Sequence, residues 1–73
     1  MTTKIYNQDD VLTTGQVAKI SRLSQGTIIR CFDKGLLAGF IVPGSDHRRI
    51  PLKDAIEFLE SNKVPYDLSL LNK

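Results

Sequence analysis

Two adjacent arginines, Arg48 and Arg49, follow His47 and the turn-forming run Pro43-Gly44-Ser45-Asp46. Neighbouring side chains in an extended strand point to opposite faces. On a hairpin arm, one guanidinium can follow a polyanion backbone while the other enters a narrow groove, where negative potential is concentrated. His47 adds a neutral hydrogen-bond donor, or a cation at lower pH. The competing reading spends these arginines inside the molecule, Arg49 above all, on Asp54 or Glu57. A second group lies upstream, where Ser24, Gln25, Gly26, Ile29 and Arg30 fall on or near the outer face of a short segment with helical spacing, and Thr27 lies beside them. Gln25 is suited to pair with adenine, Arg30 with guanine or a phosphate, and Ile29 to touch a thymine methyl. The plain alternatives are a solvated charge for Arg30 and simple tolerance for Ile29.

Other chemistries find no material. There is one histidine, on the presumed hairpin, and one cysteine, Cys31, inside a helix, with no reason to meet. A single cysteine excludes an internal disulfide and a cysteine-rich metal site. Asp54, Glu57 and Glu60 share the solvent face of a helix and read as solvated charges. No glycine-rich phosphate loop or metal-ligand spacing occurs. The expectation is a non-enzyme without cofactor, metal or small-molecule substrate. At 73 residues the chain holds one domain with a thin core, too small for a deep pocket. No apolar run approaches the length of a membrane span, and the N-terminus does not resemble a secretion signal, so a cytoplasmic protein with no membrane partner is expected. The net charge is only +2, but residues 19–53 carry seven basic against two acidic side chains, between mildly acidic ends. Such a distribution suits a surface facing a polyanion, although charges solvating separate faces would give the same count.

The elements that must position these groups are legible from caps and periodicity. Residues 1–10 are polar and read as a flexible N-terminal arm. Thr13 with Gln16 fits a capping box and opens a helix over 14–20 with Val17, Ala18 and Ile20 inward. Ser21-Arg22-Leu23 reads as a turn, with Leu23 plugging the angle between helices. Ser24 caps a second helix over 25–34, with Ile28 and Phe32 facing the core. Lys34 complements its dipole and adds a basic group to the same surface, and Gly35 supplies a left-handed stop. Residues 36–42 and 47–50 form the two arms of a hairpin around the turn at 43–46. Pro51 takes the first position of a third helix over 51–61, with Leu52, Ala55, Ile56 and Leu59 on one stripe and Phe58 at its edge. Residues 63–73 form a tail with one or two helical turns, and Leu68, Leu70 and Leu71 are available there as an apolar patch for a partner or for self-association. The expected fold is mainly α with a small β-hairpin wing.

With these elements in order, Thr14-Gly-Gln-Val-Ala-Lys-Ile, Thr27-Ile, Phe32-Asp-Lys-Gly35, Ile41-Val-Pro-Gly-Ser and His47-Arg-Arg-Ile-Pro51 resemble the MerR-like winged-helix superfamily. Within it the chain looks most like the excisionase-type group that includes BldC-like regulators. The resemblance covers about residues 12–62, and a winged helix-turn-helix domain over 11–62 is its structural implication. It implies binding of double-stranded DNA, with the helix over 25–34 in the major groove and the wing over 43–50 on the backbone or minor groove. Carried over by position, the reader residues are Ser24, Gln25, Gly26, Thr27 and Arg30. The wing residues are His47, Arg48 and Arg49, and Gln16 matches a position that often meets a phosphate. Three departures stand out: Gly26 replaces a frequent arginine or lysine, Cys31 replaces a frequent aromatic, and Ile29 stands where MerR proper has arginine. The implied role is bacterial-type transcriptional regulation; because a single module of this size buries only about 600–1,000 Å² on DNA, self-association on DNA is expected as well. The alternatives are an excisionase-like DNA-bending factor for recombination and a winged-helix module that binds protein.

Overall fold

The computed structural model describes residues 10–72. Residues 1–9 of the expected N-terminal arm, and Lys73, lie outside the described residues. In chain order the elements are β1 (Val11–Thr13), α1 (Thr14–Ser21), α2 (Gln25–Asp33), β2 (Phe40–Ile41), β3 (Arg48–Pro51), α3 (Leu52–Ser61) and a closing 3-10 helix, η1 (Leu68–Asn72).

Local chemistry fixes the first two helices. Thr13 Oγ1 accepts from the Gln16 amide at 3.1 Å, and Gln16 Oε1 accepts from the Thr13 amide at 2.9 Å, so two donors left over by the first turn are paired reciprocally. Ser21 ends α1, its hydroxyl donating to the Val17 carbonyl at 2.7 Å, and Arg22 turns the chain with φ 61. Ser24 Oγ accepts from the Thr27 amide at 3.1 Å and starts α2. Lys34 is the C-cap of α2 rather than part of its last turn. Beyond it Gly35 has φ 77, the Gly35 amide donates to the Phe32 carbonyl at 3.0 Å, and the Leu36 amide donates to the Cys31 carbonyl at 2.9 Å. This pair of bonds is the Schellman closure that the glycine foretold.

The expected hairpin is part of a larger sheet. Three antiparallel strands run in the order β1-β3-β2, and with the helices they make a small α/β domain rather than a mainly α one with an attached hairpin. Leu12 stands opposite Ile50, Thr13 and Phe40 flank Arg49, and Ile41 lies opposite Arg48. The expected first arm over 36–42 is strand only at Phe40–Ile41. Leu37, in the irregular stretch before it, is buried in the core. The tip is a turn closed by the Ser45 amide on the Val42 carbonyl at 3.1 Å. Gly44 there has φ 81, which a type II turn with proline ahead of it requires. Pro51 ends β3 and is the N-cap of α3, not its first helical residue. Its predecessors pair with β1, so helical dihedrals begin only at Leu52.

Alternate positions of β1 and β3 and one stripe of each helix supply the core: Leu12, Val17, Ala18, Ile20, Ile28, Leu37, Ile50, Leu52, Ala55 and Leu59. The tail folds back onto this core. The Asp67 amide donates to the Ile20 carbonyl at 3.0 Å, and Val64, Tyr66, Leu68, Leu70 and Leu71 pack half-buried against the cluster. The leucines expected to form a free apolar patch are thus turned toward the domain's own interior. Tyr66 donates its hydroxyl to Glu60 Oε2 at 2.8 Å, a bond that holds the phenol's pKa above its ordinary value of 10.0.

A stabilising substitution follows from the end of α3. Lys63 repeats the Gly35 geometry, with φ 58, its amide on the Glu60 carbonyl at 3.1 Å and the Val64 amide on the Leu59 carbonyl at 2.8 Å. An L-residue in the left-handed region costs about 1–2 kcal/mol, partly offset in lysine's favour by the greater freedom of glycine when unfolded. Lys63→Gly is expected to raise stability by about 0.5–1 kcal/mol in urea denaturation.

Candidate nucleic-acid interface

The N-termini of α1 and α2 lie side by side, because Gln25, the first residue of α2, donates from Nε2 to Thr14 Oγ1 at the start of α1, at 3.0 Å. Gly15 lies at this meeting point, where a Cβ would make only an ordinary contact, 3.8 Å from the Gln25 amide nitrogen. The end of the hairpin comes to the same place. Thr13, Thr14, Gly15, Gln25, Asp46, His47, Arg48 and Arg49 line one open cleft of 340 Å³. Neither α1 nor α2 has an acidic residue in its first turn, whereas α3 has Asp54 there. Neither first turn therefore has an acidic side chain of its own to offset the positive end of its dipole. Two helix starts and an arginine-bearing strand thus face one concavity.

The hairpin meets α2 at the C-terminal end of the helix. At 100° per residue, Gln25, Ile29 and Asp33 share one edge of α2. Gln25 shares the cleft with residues 46–49. At the other end Arg48 makes a two-pronged bond to Asp33, Nε to Oδ1 at 3.0 Å and Nη2 to Oδ2 at 3.1 Å. The Arg48 guanidinium also lies over the Phe32 ring, 6.0 Å from its centroid. The Asp33 bond raises the pKa of Arg48 further, against some desolvation and with help from Asp46. Of the two arginines it is Arg48, not Arg49, that pairs with an acid, and the acid belongs to α2 rather than α3. Arg49 donates from Nη1 to the Arg48 carbonyl at 3.0 Å, and the rest of its guanidinium has no protein partner among the described residues.

The expected residues divide accordingly. Gln25, His47, Arg48 and Arg49 are brought together in the cleft. Gly26, Arg30 and Lys34 are exposed along the outer side of α2; open space surrounds Gly26. Ser24 and Thr27 hold one another, Oγ to Oγ1 at 2.8 Å, and shape the start of α2. The side-chain oxygen of Gln16 is taken by the Thr13 amide, which leaves its NH₂ group as the donor available to a partner. Ile29 is half-buried rather than exposed, and so is Cys31.

Sequence reasoning passed over Thr13, Thr14, Gly15 and Asp46 as parts of this surface. Gly39 was missed as well, although the hairpin depends on it: a Cβ there would collide with the Arg49 carbonyl and lie 2.7 Å from Phe32 Cε2. Asp33 did carry a signal, since an acid in the last turn of a helix opposes the dipole and calls for a compensating cation.

Among the described residues no helix is long and apolar enough to cross a membrane, and no cluster of three or more His, Cys, Asp or Glu is arranged to hold a metal ion. No family model matches the chain, and neither a curated protein nor a solved structure is similar enough to it to count as a match.

Proposed function

We propose that this chain is a winged helix-turn-helix module that binds double-stranded DNA sequence-specifically, as a transcriptional regulator of bacterial type. In this reading α2 enters the major groove N-terminus first, and the hairpin rests on the backbone or in the minor groove. The observation that carries it is the shared cleft: the acid-free first turns of α1 and α2 open beside His47, Arg48 and Arg49. A wing on the far side of the domain from the reader helix would have been incompatible with simultaneous contact. The major groove is about 12 Å wide and accepts one helix. Gln25 keeps its side-chain oxygen for a base even while its NH₂ group bonds Thr14. Arg30 and Lys34, on the outer side, supply phosphate contacts, and Gly26 lets the backbone of α2 come close to the DNA.

The reading is tested by fluorescence anisotropy on labelled duplexes from 25 to 300 mM salt, followed by selection from a randomised duplex pool. Three or four phosphate contacts give an expected slope of log K against log salt of about −3 to −4. Arg49→Ala is expected to weaken binding to every sequence and to flatten the slope by about 0.9. Gln25→Ala instead lowers the preference for the selected site by about 1–3 kcal/mol, with the slope unchanged. Absence of binding to any duplex at the lowest salt overturns the reading.

A further inference from the structure

Asp33 is an acid in two unfavourable places. It ends α2, where the dipole disfavours a negative charge, and it stands on the edge of the helix that the proposed function turns toward DNA. What it gains is the two-pronged bond from Arg48, at 3.0 and 3.1 Å, with the guanidinium also lying over Phe32. An exposed ion pair of this kind adds little to overall stability, but a planar fork on a carboxylate fixes direction. Arg48 comes from the middle strand of the sheet and Asp33 from α2, so the bond sets how far the hairpin stands from the reader helix. It also neutralises Arg48, which has Asp46 as a second acidic neighbour. Arg49, the next residue, has spent only one donor, and that on the Arg48 carbonyl.

We propose, resting on the DNA-binding reading above, that Asp33, Phe32 and Arg48 form a bracket that sets the spacing between hairpin and α2. Arg48 is then a positioning residue, and Arg49 is the hairpin's phosphate-binding arginine. The internal pairing that the sequence suggested for Arg49 above all falls on Arg48 instead, and the two arginines act differently. A phosphate that captured Arg48 would have to displace a carboxylate already in bidentate contact, whereas Arg49 meets no such competitor.

The experiment compares Asp33→Ala, Asp33→Asn, Arg48→Ala, Arg48→Lys and the Asp33→Ala/Arg48→Ala pair by anisotropy across the salt range. A bracket predicts that the Asp33 and Arg48 alanine variants each weaken binding by about threefold to fivefold, the scale of an exposed bidentate pair. Their combination is no weaker than either alone, and every slope stays at the wild-type value. Arg48→Lys keeps the charge but loses the fork, and behaves like Arg48→Ala. The proposal is overturned if Asp33→Ala tightens binding, or if Arg48→Ala flattens the slope by about 0.9. Proton–nitrogen NMR of the free protein separates failure of the bracket from failure of the DNA reading. With or without DNA binding, removing Asp33 must shift the amides of residues 46–49 and expose the Arg48 Nε–H to exchange. Unchanged hairpin resonances overturn the bracket, while a bracket intact in NMR beside a wild-type protein that binds no duplex sinks the DNA reading alone.

Discussion

Gly39→Val is expected to strip the domain of most of its stability and, with it, of the DNA binding proposed above. The two chain segments that carry the hairpin approach each other at Gly39 so closely that even a methyl group would collide with the Arg49 carbonyl and press on the Phe32 ring. The carbonyl belongs to the central strand and cannot retreat without breaking pairs with β1 or β2. The ring is held in turn between the core and Arg48. Overpacking of this kind costs about 1–3 kcal/mol when neighbours can shift, and valine, with backbone on one side, belongs at the top of that range. A domain of this size has about 3–5 kcal/mol to lose. Gly39→Ala is expected to take about 1–2 kcal/mol and to displace the hairpin while the helices remain. Urea denaturation gives the loss, and far-ultraviolet circular dichroism shows whether helix survives.

Removing residues 64–73 is expected to have the next largest effect, through folding rather than through assembly. Val64, Tyr66, Leu68, Leu70 and Leu71 each cover part of the core, and the Asp67 amide bonds the last turn of α1. Full burial of one such side chain is worth about 1.5–3 kcal/mol. Half-burial of several, less the entropy of ordering the segment, leaves a net loss of about 2–3 kcal/mol. The shortened chain is expected to melt well below the full one and to expose the flank of α1 and α3. Light scattering alongside the melt distinguishes this from a tail that joins copies. A truncated protein with unchanged melting and a lower mass in solution would show that the leucines serve an interface between copies.

Features set by neighbouring residues were legible in the sequence. The Thr13–Gln16 box, the Ser24 cap and the Gly35 stop each depend on atoms three or four residues apart, so types and spacing suffice. Ile28 and the Leu52–Ala55–Leu59 stripe followed from helical period alone. What escaped was decided by distant partners. Val11–Thr13 is a strand only because residues 49–51 lie beside it, and three residues carry no period to reveal that. The tail read as free because its docking surface is assembled from α1 and α3. At the candidate site, residue types singled out Gln25 and the two arginines that line the cleft, yet the Gln25–Thr14 and Arg48–Asp33 bonds join residues 11 and 15 apart in sequence. No local pattern encodes those bonds, and they decide which candidate side chains are committed inside the domain.

The passage from β3 into α3 at Pro51 without an intervening loop has a mechanical consequence. Arg48 and Arg49 ride on a strand anchored laterally by both neighbours and axially by a helix, so the arm is preformed instead of being a tether that must find its shape. Little ordering entropy remains to be surrendered when a ligand arrives, and a load applied at the tip passes straight into the helix behind it. In the proposed reading, the arm would meet DNA already in the shape in which it binds.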